Sequence, residues 1–279
     1  MPVRAGLQQI LDLEQIEDLV FRGRSREGVT ETRVFGGEVA GQALVAAART
    51  VDPGRTVHSL HAYFLRPGDP SRPILYQVDP IRDGRSFTTR RVLGIQHGEA
   101  IFTLSASFQV HEDGLHHQLP VLDAVPPEDL PAVTEAPGRS EDWFARFPIE
   151  LRFPDGPPMV TGEGVPPRQL TWMRSPERLP DDPALHACAA TYFSDLLLLS
   201  TALRPHQRVL RDPRLQMASL DHAVWFHAPF RADEWLCYQQ EGPWAGGARA
   251  LCRGYLFDRH GTLVATVMQE GLIRLRDAR

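Results

Sequence analysis

The most conspicuous candidate for chemistry in this sequence is Asp195, an acid inside an almost entirely apolar stretch. Residues 189–199 read AATYFSDLLLL, and an unpaired carboxylate is costly to bury there. One interpretation is structural: Ser194 caps a helix that begins here, and Asp195 lies in its first turn, where the helix dipole favours a negative charge. The other is that the acid lines a cleft and acts as a general base. The pattern alone leaves both open.

A second candidate is Gln269, a polar side chain on an otherwise apolar face of a predicted strand. The segment TLVATVMQEGLIRL (262–275) alternates in polarity. The residues that share this face with the amide are Leu263, Ala265 and Val267. A buried amide needs hydrogen-bond partners, so Gln269 either ties down a strand end or serves a site. Ser219 is a third candidate, although a serine that opens a strand is unremarkable by its sequence alone.

The motifs of several other enzyme classes are absent from the sequence. No G-x-S-x-G occurs, so the nucleophile elbow of serine hydrolases is missing. The dinucleotide fingerprint G-x-G-x-x-G, the phosphate loop and the zinc motif H-E-x-x-H are missing as well. The strand histidines are isolated, and such residues are usually structural. We therefore expect a reaction that uses neither a metal nor a bound cofactor.

Composition narrows the choice of partner and compartment. The chain has 279 residues and a net charge of −5, which argues against a nucleic-acid partner. All 30 basic residues are arginine, so lysine Schiff-base chemistry is excluded. The three cysteines lack C-x-x-C spacing and are expected to be reduced. No signal peptide or membrane span is evident, and we expect a soluble, cytoplasmic protein.

The elements that must position these candidates are mainly strands. Two regions, 57–110 and 216–273, alternate over four segments each, which predicts two antiparallel meanders. The first contains VHSLHAYFL, PILYQVDPIRDG, SFTTRRVLGIQ and EAIFTLSASFQV. The second contains MASLDHAVWFH, EWLCYQQEG, ARALCRGYLFD and TLVATVMQEGLIRL. Glycines before matching strands (Gly84 with Gly246, Gly98 with Gly261) recur at an offset of about 160 residues, which indicates an internal repeat.

Each half also contains one predicted helix. The segment VFGGEVAGQALVAAART (34–50) is apolar nearly all round and built of Gly and Ala, so other backbone must approach it closely. In the second half SDLLLLSTAL (194–203) takes the corresponding place. Residues 113–145, rich in Pro, Asp and Glu, are typical of a linker. We therefore expect domains at 1–112 and 146–279 joined by that linker.

One helix wrapped by an antiparallel sheet is the hot-dog arrangement, and the repeat predicts two of them. The fold class expected is thus α+β, a tandem or double hot-dog. A central helix made of small residues suits a concave sheet that closes around it. The alternative is an ordinary α+β domain in which the same helix packs on a flat sheet.

The sequence resembles the acyl-CoA thioesterase II family over most of its length except the linker. The resemblance implies a double hot-dog fold and hydrolysis of acyl-CoA thioesters without a cofactor. The motifs that carry it, in the family's order, are VFGGEVAGQAL (34–44), VHSLHAYFLRPGD (57–69), ILYQVDPIRDGRSFTTRRV (74–92), SDLLLL (194–199), SLDHAVWFHAPF (219–230) and VMQEGLIR (267–274).

The resemblance also implies roles for the three candidates. It makes Asp195 the catalytic aspartate of the family, which takes a proton from a water that Gln269 and Ser219 hold in place. Shifted back by the repeat, Asp195 falls near Glu38 and Gln269 near Ala106. We therefore expect one competent site per chain, formed by the second half, with Glu38 as a secondary or vestigial acid.

Two other functions compete with acyl-CoA hydrolysis. A hot-dog enoyl-CoA hydratase would use the same substrate class, but the D-x-N-P-x-H pattern of such hydratases is absent. A non-catalytic acyl-CoA-binding protein would bind the ligand without turnover. By analogy with other hot-dog proteins, we expect a homodimer or homotetramer.

Overall fold

A computed structural model describes residues 6–25, 32–120, 123–133, 144–156, 164–206 and 212–276. Residues 121–122 and 134–143 of the expected linker lie outside this part. The helices are α1 (Leu7–Leu11), α2 (Gly36–Ala48) and α3 (Pro183–Ser194), with 3-10 turns at Pro127–Asp129 and Leu199–His206. No helix in the described ranges is long and apolar enough to cross a membrane.

The strands of the described residues form one antiparallel sheet. In the first half they are β1 (Glu14–Glu17), β2 (Val20–Gly23), β3 (Arg55–Phe64), β4 (Ile74–Asp83), β5 (Phe87–Gln96) and β6 (Glu99–Val110). In the second half they are β7 (Glu150–Arg152), β8 (Arg168–Arg174), β9 (Leu215–Ser219), β10 (Asp221–Phe226), β11 (Leu236–Gly246), β12 (Arg249–Asp258) and β13 (Leu263–Leu275). The predicted strands are present, except that MASLDHAVWFH is two strands, β9 and β10, separated at Leu220.

The two halves of the sheet are related by an internal pseudo-twofold. The strand order is β1-β2-β4-β5-β6-β3-β10-β13-β12-β11-β8-β7, so β3 and β10 pair at the centre. There His61 pairs with Ala223, and this pair lies at the pseudo-twofold axis. The axis relates the flanking pair Leu60–Val224 to the flanking pair His222–Ala62, so Leu60 matches His222 and Ala62 matches Val224. Each half therefore has the same order of strands around one helix, which confirms the double hot-dog.

The central helices α2 and α3 pack directly against each other and run antiparallel, as two close contacts show. A Cβ added to Gly37 would collide with the Tyr192 carbonyl oxygen, and one added to Gly41 would lie 3.1 Å from the Cys188 carbonyl oxygen. Glycine allows this backbone approach because it has no Cβ. The small residues of α2 thus accommodate the second helix, whereas the sequence suggested only the sheet.

The second central helix begins earlier than the sequence predicted. Asp182 caps α3, accepting a hydrogen bond from the Ala184 N–H at 2.9 Å, and Pro183 is its first residue. Both features are strong helix-start signals. The helix ends at Ser194, with Asp195 as its C-cap. The predicted helix over 194–203 is therefore wrong, and so is the placement of Asp195 in a first turn.

The described part of the expected linker crosses the outer face of the second half. Neighbours along a strand face opposite sides of a sheet, so Cys237 points away from the helices that Tyr238 contacts. A separate apolar cluster forms on that outer side from Trp172, Trp235, Cys237 and Phe257, with Ala124 and Leu130 of the linker packed on it. The Trp172 ring nitrogen donates to the Val125 carbonyl oxygen at 2.9 Å.

Candidate active site

Asp195, Ser219 and Gln269 meet in one hydrogen-bonded cluster. The Gln269 side-chain N–H donates to Asp195 Oδ1 at 2.6 Å and to Ser219 Oγ at 2.9 Å. The Ser219 hydroxyl in turn donates to the same Oδ1 at 3.2 Å. Asp195 and Ser219 are half-buried, whereas Gln269 is fully buried. The three candidates from the sequence therefore occupy one site that is open to solvent at the carboxylate.

The third hydrogen bond to the carboxylate comes from the first half of the chain. The Gly37 backbone N–H donates to Asp195 Oδ2 at 2.8 Å. A Cβ added to Gly36 would lie 2.8 Å from the same oxygen, so the paired glycines at the start of α2 make room for the acid. The free N–H groups of a helix start carry partial positive charge and suit an anion. The sequence did not predict this contact, although the glycine pair at a helix start was its signal.

The strands place Ser219 and Gln269 side by side. Ser219 ends β9 and pairs with Gly271 on β13, two residues beyond Gln269. The chain leaves β9 at Leu220. The Leu220 N–H donates to the Glu270 carbonyl oxygen, and the Leu220 carbonyl oxygen accepts a hydrogen bond from the Phe64 N–H. This break between β9 and β10 sets the serine beside the amide.

The amide of Gln269 has an unused acceptor. Its oxygen Oε1 is buried and has no hydrogen-bond partner among the described residues. Most buried polar atoms are paired, so an unpaired one beside a half-buried carboxylate marks a place for a ligand with a hydrogen to donate. The site thus offers two kinds of acceptor, a carboxylate and an amide oxygen.

The residue before Asp195, Ser194, is held by three hydrogen bonds. The Ser194 hydroxyl donates to the Thr191 carbonyl oxygen at 3.0 Å and lies 2.8 Å from His222 Nε2. Its carbonyl oxygen accepts the Tyr238 hydroxyl at 2.8 Å. Burial lowers the pKa of His222, while the carboxylate of Asp195 opposes this. Burial and the same carboxylate raise the pKa of Tyr238.

Glu38 lies next to this site but is not the counterpart of Asp195. It is in the first turn of α2 and is 1% exposed. Burial and the charge of Glu38 raise the pKa of Tyr76. Counted from the N-caps of the two helices, Phe35 and Asp182, the position matching Asp195 is Ala48. The expected equivalence of Glu38 with Asp195 is therefore wrong, and a secondary role for it stays a prediction.

The mirror-image position in the first half is apolar. Val57 pairs with Phe108, two residues beyond Ala106, just as Ser219 pairs with Gly271 beyond Gln269. Val57 and Ala106 are buried. The Ala184 N–H at the start of α3, which matches Gly37, is taken by the cap residue Asp182. At the matching positions the first half therefore has neither the acid nor the amide nor the hydroxyl.

The cysteines do not supply a nucleophile. Cys252 pairs with Gln269 across β12 and β13, but burial raises the pKa of its thiol to about 12. Burial raises the pKa of Cys237 to about 12 as well. A thiol reacts as its thiolate, so neither is reactive near neutral pH. The described residues also contain no group of three or more His, Cys, Asp or Glu placed to hold a metal ion.

Comparison with known families gives two matches in chain order. Residues 26–109 match the family described as acyl-CoA thioesterase N-terminal domain. Residues 145–272 match the family described as acyl-CoA thioesterase. One match therefore falls in each half of the chain.

Individual proteins show the same likeness over nearly full length. The chain is 43% identical to mouse acyl-coenzyme A thioesterase 8, covering 96% of this chain and 88% of that protein. It is 38% identical to acyl-CoA thioesterase 2 of Haemophilus influenzae, covering 98% of both. The crystal structure of acyl-CoA thioesterase II TesB2 from Mycobacterium marinum is 46% identical, with a TM-score of 0.82, and the match covers 98% of this chain and 99% of that one.

Proposed function

The chain belongs to the acyl-CoA thioesterase family and hydrolyses acyl-CoA thioesters, and we propose that it does so with a water molecule activated by Asp195. The observation that carries this proposal is the convergence of Gly37, Ser219 and Gln269 on one half-buried carboxylate. The second half supplies the acid, the hydroxyl and the amide. The first half supplies the helix start that faces them.

Asp195 is the general base. Its carboxylate accepts a proton from the water while the water oxygen attacks the thioester carbonyl carbon. The Gln269 amide holds the carboxylate through its N–H, and its unpaired Oε1 accepts the second hydrogen of the water. Ser219 donates to the carboxylate and accepts from the Gln269 amide, and we assign it to holding these groups around the water. Holding the water and the base in line removes much of the entropic cost of the attack.

The carbonyl oxygen of the substrate gains negative charge in this attack, and we expect it to bind near the start of α2, which lies beside Asp195. Helix N-termini stabilise such charge with backbone N–H groups. The FSD segment (193–195) lies at the end of α3, so it does not offer a helix start for this role. Collapse of the intermediate then breaks the carbon–sulfur bond, and the coenzyme A thiolate leaves and takes up a proton.

The division of the chain at residues 112 and 145 and its assembly are further parts of this proposal. We expect a homodimer or homotetramer in the cytoplasm. Tyr63, Leu75 and Phe87 are exposed on the outer face of the first half, whereas the linker covers part of the other outer face. The three cysteines are free, as is usual in a reducing compartment. Light scattering of the purified protein tests the assembly, and a monomer would contradict it.

Release of free thiol from hexanoyl-CoA and palmitoyl-CoA tests the proposed site, with Asp195→Asn beside the wild type. We expect the variant to lose at least about a hundredfold in kcat, because an amide cannot take the proton. The matched control is Asp182→Asn at the start of α3, where asparagine caps as well as aspartate; it should keep wild-type activity. Equal activity of Asp195→Asn and wild type would rule out the site while leaving the hydrolase activity intact.

A further inference from the structure

His222 and Ser194 are polar residues at positions where the matching residues of the first half are apolar. The pairs Ala62–His222 and Leu60–Val224 flank the central pair of the sheet, so the residue matching His222 is Leu60. Counted from the helix N-caps, the residue matching Ser194 is Ala47. Both Leu60 and Ala47 are fully buried. The fold therefore accommodates apolar residues at these two positions, and packing alone does not require a histidine and a serine.

The hydrogen bonds of Ser194 indicate which group is the donor in the Ser194–His222 contact. A serine hydroxyl has one hydrogen to donate, and that of Ser194 goes to the Thr191 carbonyl oxygen. The 2.8 Å contact between Ser194 Oγ and His222 Nε2 therefore has the imidazole N–H as donor. This arrangement has a hydrogen on Nε2, and burial lowers the pKa of His222, which favours the neutral ring. Its other nitrogen, Nδ1, is buried without a partner among the described residues.

We propose that His222 and Ser194 are a positioning pair that fixes the end of α3 and thereby aims the Asp195 carboxylate at the water. The proposal rests on the proposed function, because it assigns a role in the same site. His222 contacts Ser194, not the carboxylate, by a hydrogen bond. The Tyr238 hydroxyl holds the Ser194 carbonyl from the other side. The residue before Asp195 is thus held at both its side chain and its backbone.

The position of Asp195 explains why such a clamp is needed. A carboxylate at a helix C-terminus faces the negative end of the helix dipole, and the last turn of a helix frays readily. Two residues later, Leu197 has a φ of 66°, a conformation that leucine rarely adopts. The chain therefore changes direction abruptly beside the base. Displacing a catalytic group by about 1 Å lowers the rate about a hundredfold.

The test is a double-mutant cycle in the full-length enzyme. Ser194→Ala and His222→Leu copy the residues of the first half, so both variants are expected to fold. We expect each to lower kcat at least about tenfold while KM changes less than about twofold. The double variant should be no slower than the slower single variant, since either change already breaks the clamp. His222→Gln, whose amide N–H reaches a similar position, should recover most of the lost kcat.

A matched control is His227→Leu, which removes another histidine bonded to a hydroxyl. His227 Nε2 lies 2.8 Å from Thr266 Oγ1, on an exposed part of the second half and outside the cluster around Asp195. This variant should keep the wild-type kcat. Thermal unfolding of every variant shows whether a lower rate reflects a lower folded fraction.

Three results would overturn the positioning role. These are a folded His222→Leu variant with kcat within about twofold of the wild type, losses that multiply in the double variant, or a His222→Gln variant no better than His222→Leu. Each would leave the proposed function standing as long as the wild type releases thiol. A wild type that releases none would instead remove the proposed function itself.

Discussion

The two ends of the central helix pair have the same fold but differ in polarity at the matching positions. We call the end that holds Asp195 the working end and the other the mirror end. At the working end the second half places five polar residues: Ser194, Asp195, Ser219, His222 and Gln269. At the mirror end the first half places apolar residues at the matching positions: Ala47, Ala48, Val57, Leu60 and Ala106. Since the apolar set packs well in the same framework, the polar set is not needed for folding. Buried polar groups carry a desolvation cost, which indicates that function maintains them.

The helix starts differ in the same way. The start of α2 has Phe35 as its N-cap, with no side chain to accept from the backbone, so the Gly37 N–H is available to Asp195. The start of α3 is closed by its own cap, Asp182. One end therefore presents a helix start to a ligand site, and the other satisfies its N–H internally. Each half contributes to a single site.

Residues of the working end can be replaced by their matches at the mirror end. Among these replacements we expect the largest effect from Gln269→Ala, which introduces the residue found at the matching position, Ala106. The change removes the shortest hydrogen bond to Asp195 and the acceptor proposed for the water. We expect kcat to fall about a hundredfold, equivalent to about 2.7 kcal/mol of transition-state stabilisation. Steady-state thiol release measures this, and Gln269→Glu, which keeps the shape, controls for packing. A fall of less than about threefold would remove Gln269 from the mechanism.

A smaller effect is expected from Gly37→Ala, which gives α2 the residue that α3 has at the matching position, Ala184. The new methyl group would collide with the Tyr192 carbonyl oxygen and move the Gly37 N–H away from Asp195. We expect the unfolding free energy to fall by about 1–3 kcal/mol, together with activity. Urea unfolding measures this. Gly41→Ala, whose contacts are near 3.0–3.1 Å, should be milder; equal losses would show that the tight approach is not confined to the site.

The smallest effect concerns pH and stability. Burial lowers the pKa of His222 below its ordinary value of 6.5. Below pH 6.5 the unfolded chain therefore binds a proton that folded His222 does not, and stability falls as pH falls towards the lowered pKa. His222→Leu should make this fall shallower. Unfolding free energies measured from pH 8 to about 5 test it, and an unchanged slope would contradict the buried, neutral state of His222.

The sequence predicts the strands of the sheet better than it predicts the hydrogen bonds of the site. Strands β3–β6 and β10–β13 follow from alternation. The polarity of Asp195 and Gln269 within apolar segments makes them candidates, and the resemblance to a family adds Ser219 and the roles of all three. The start of α3 was missed because the apolar run after Asp195 looks as helical as the segment before it. The cap signal that marks the true start is the Asp182–Pro183 pair.

The contacts of Asp195 were not predictable because they join distant parts of the chain. Gly37 lies in the other half, and its partner is identified only once the two helices pack. A lone histidine on a strand, such as His222, is usually structural. Its alternation with Val224 does place it on the inward face, and comparison with Leu60 shows what is unusual about it.

The number of substrate sites per chain tests the central claim, that only one end of the helix pair works, most directly. Calorimetric titration of Asp195→Asn with a thioether analogue of hexanoyl-CoA gives this number without turnover. We expect one analogue bound per chain, because the mirror end lacks the acid, the amide and the hydroxyl at the matching positions and its helix start is already capped. Two equivalent sites per chain would contradict the difference between the two ends.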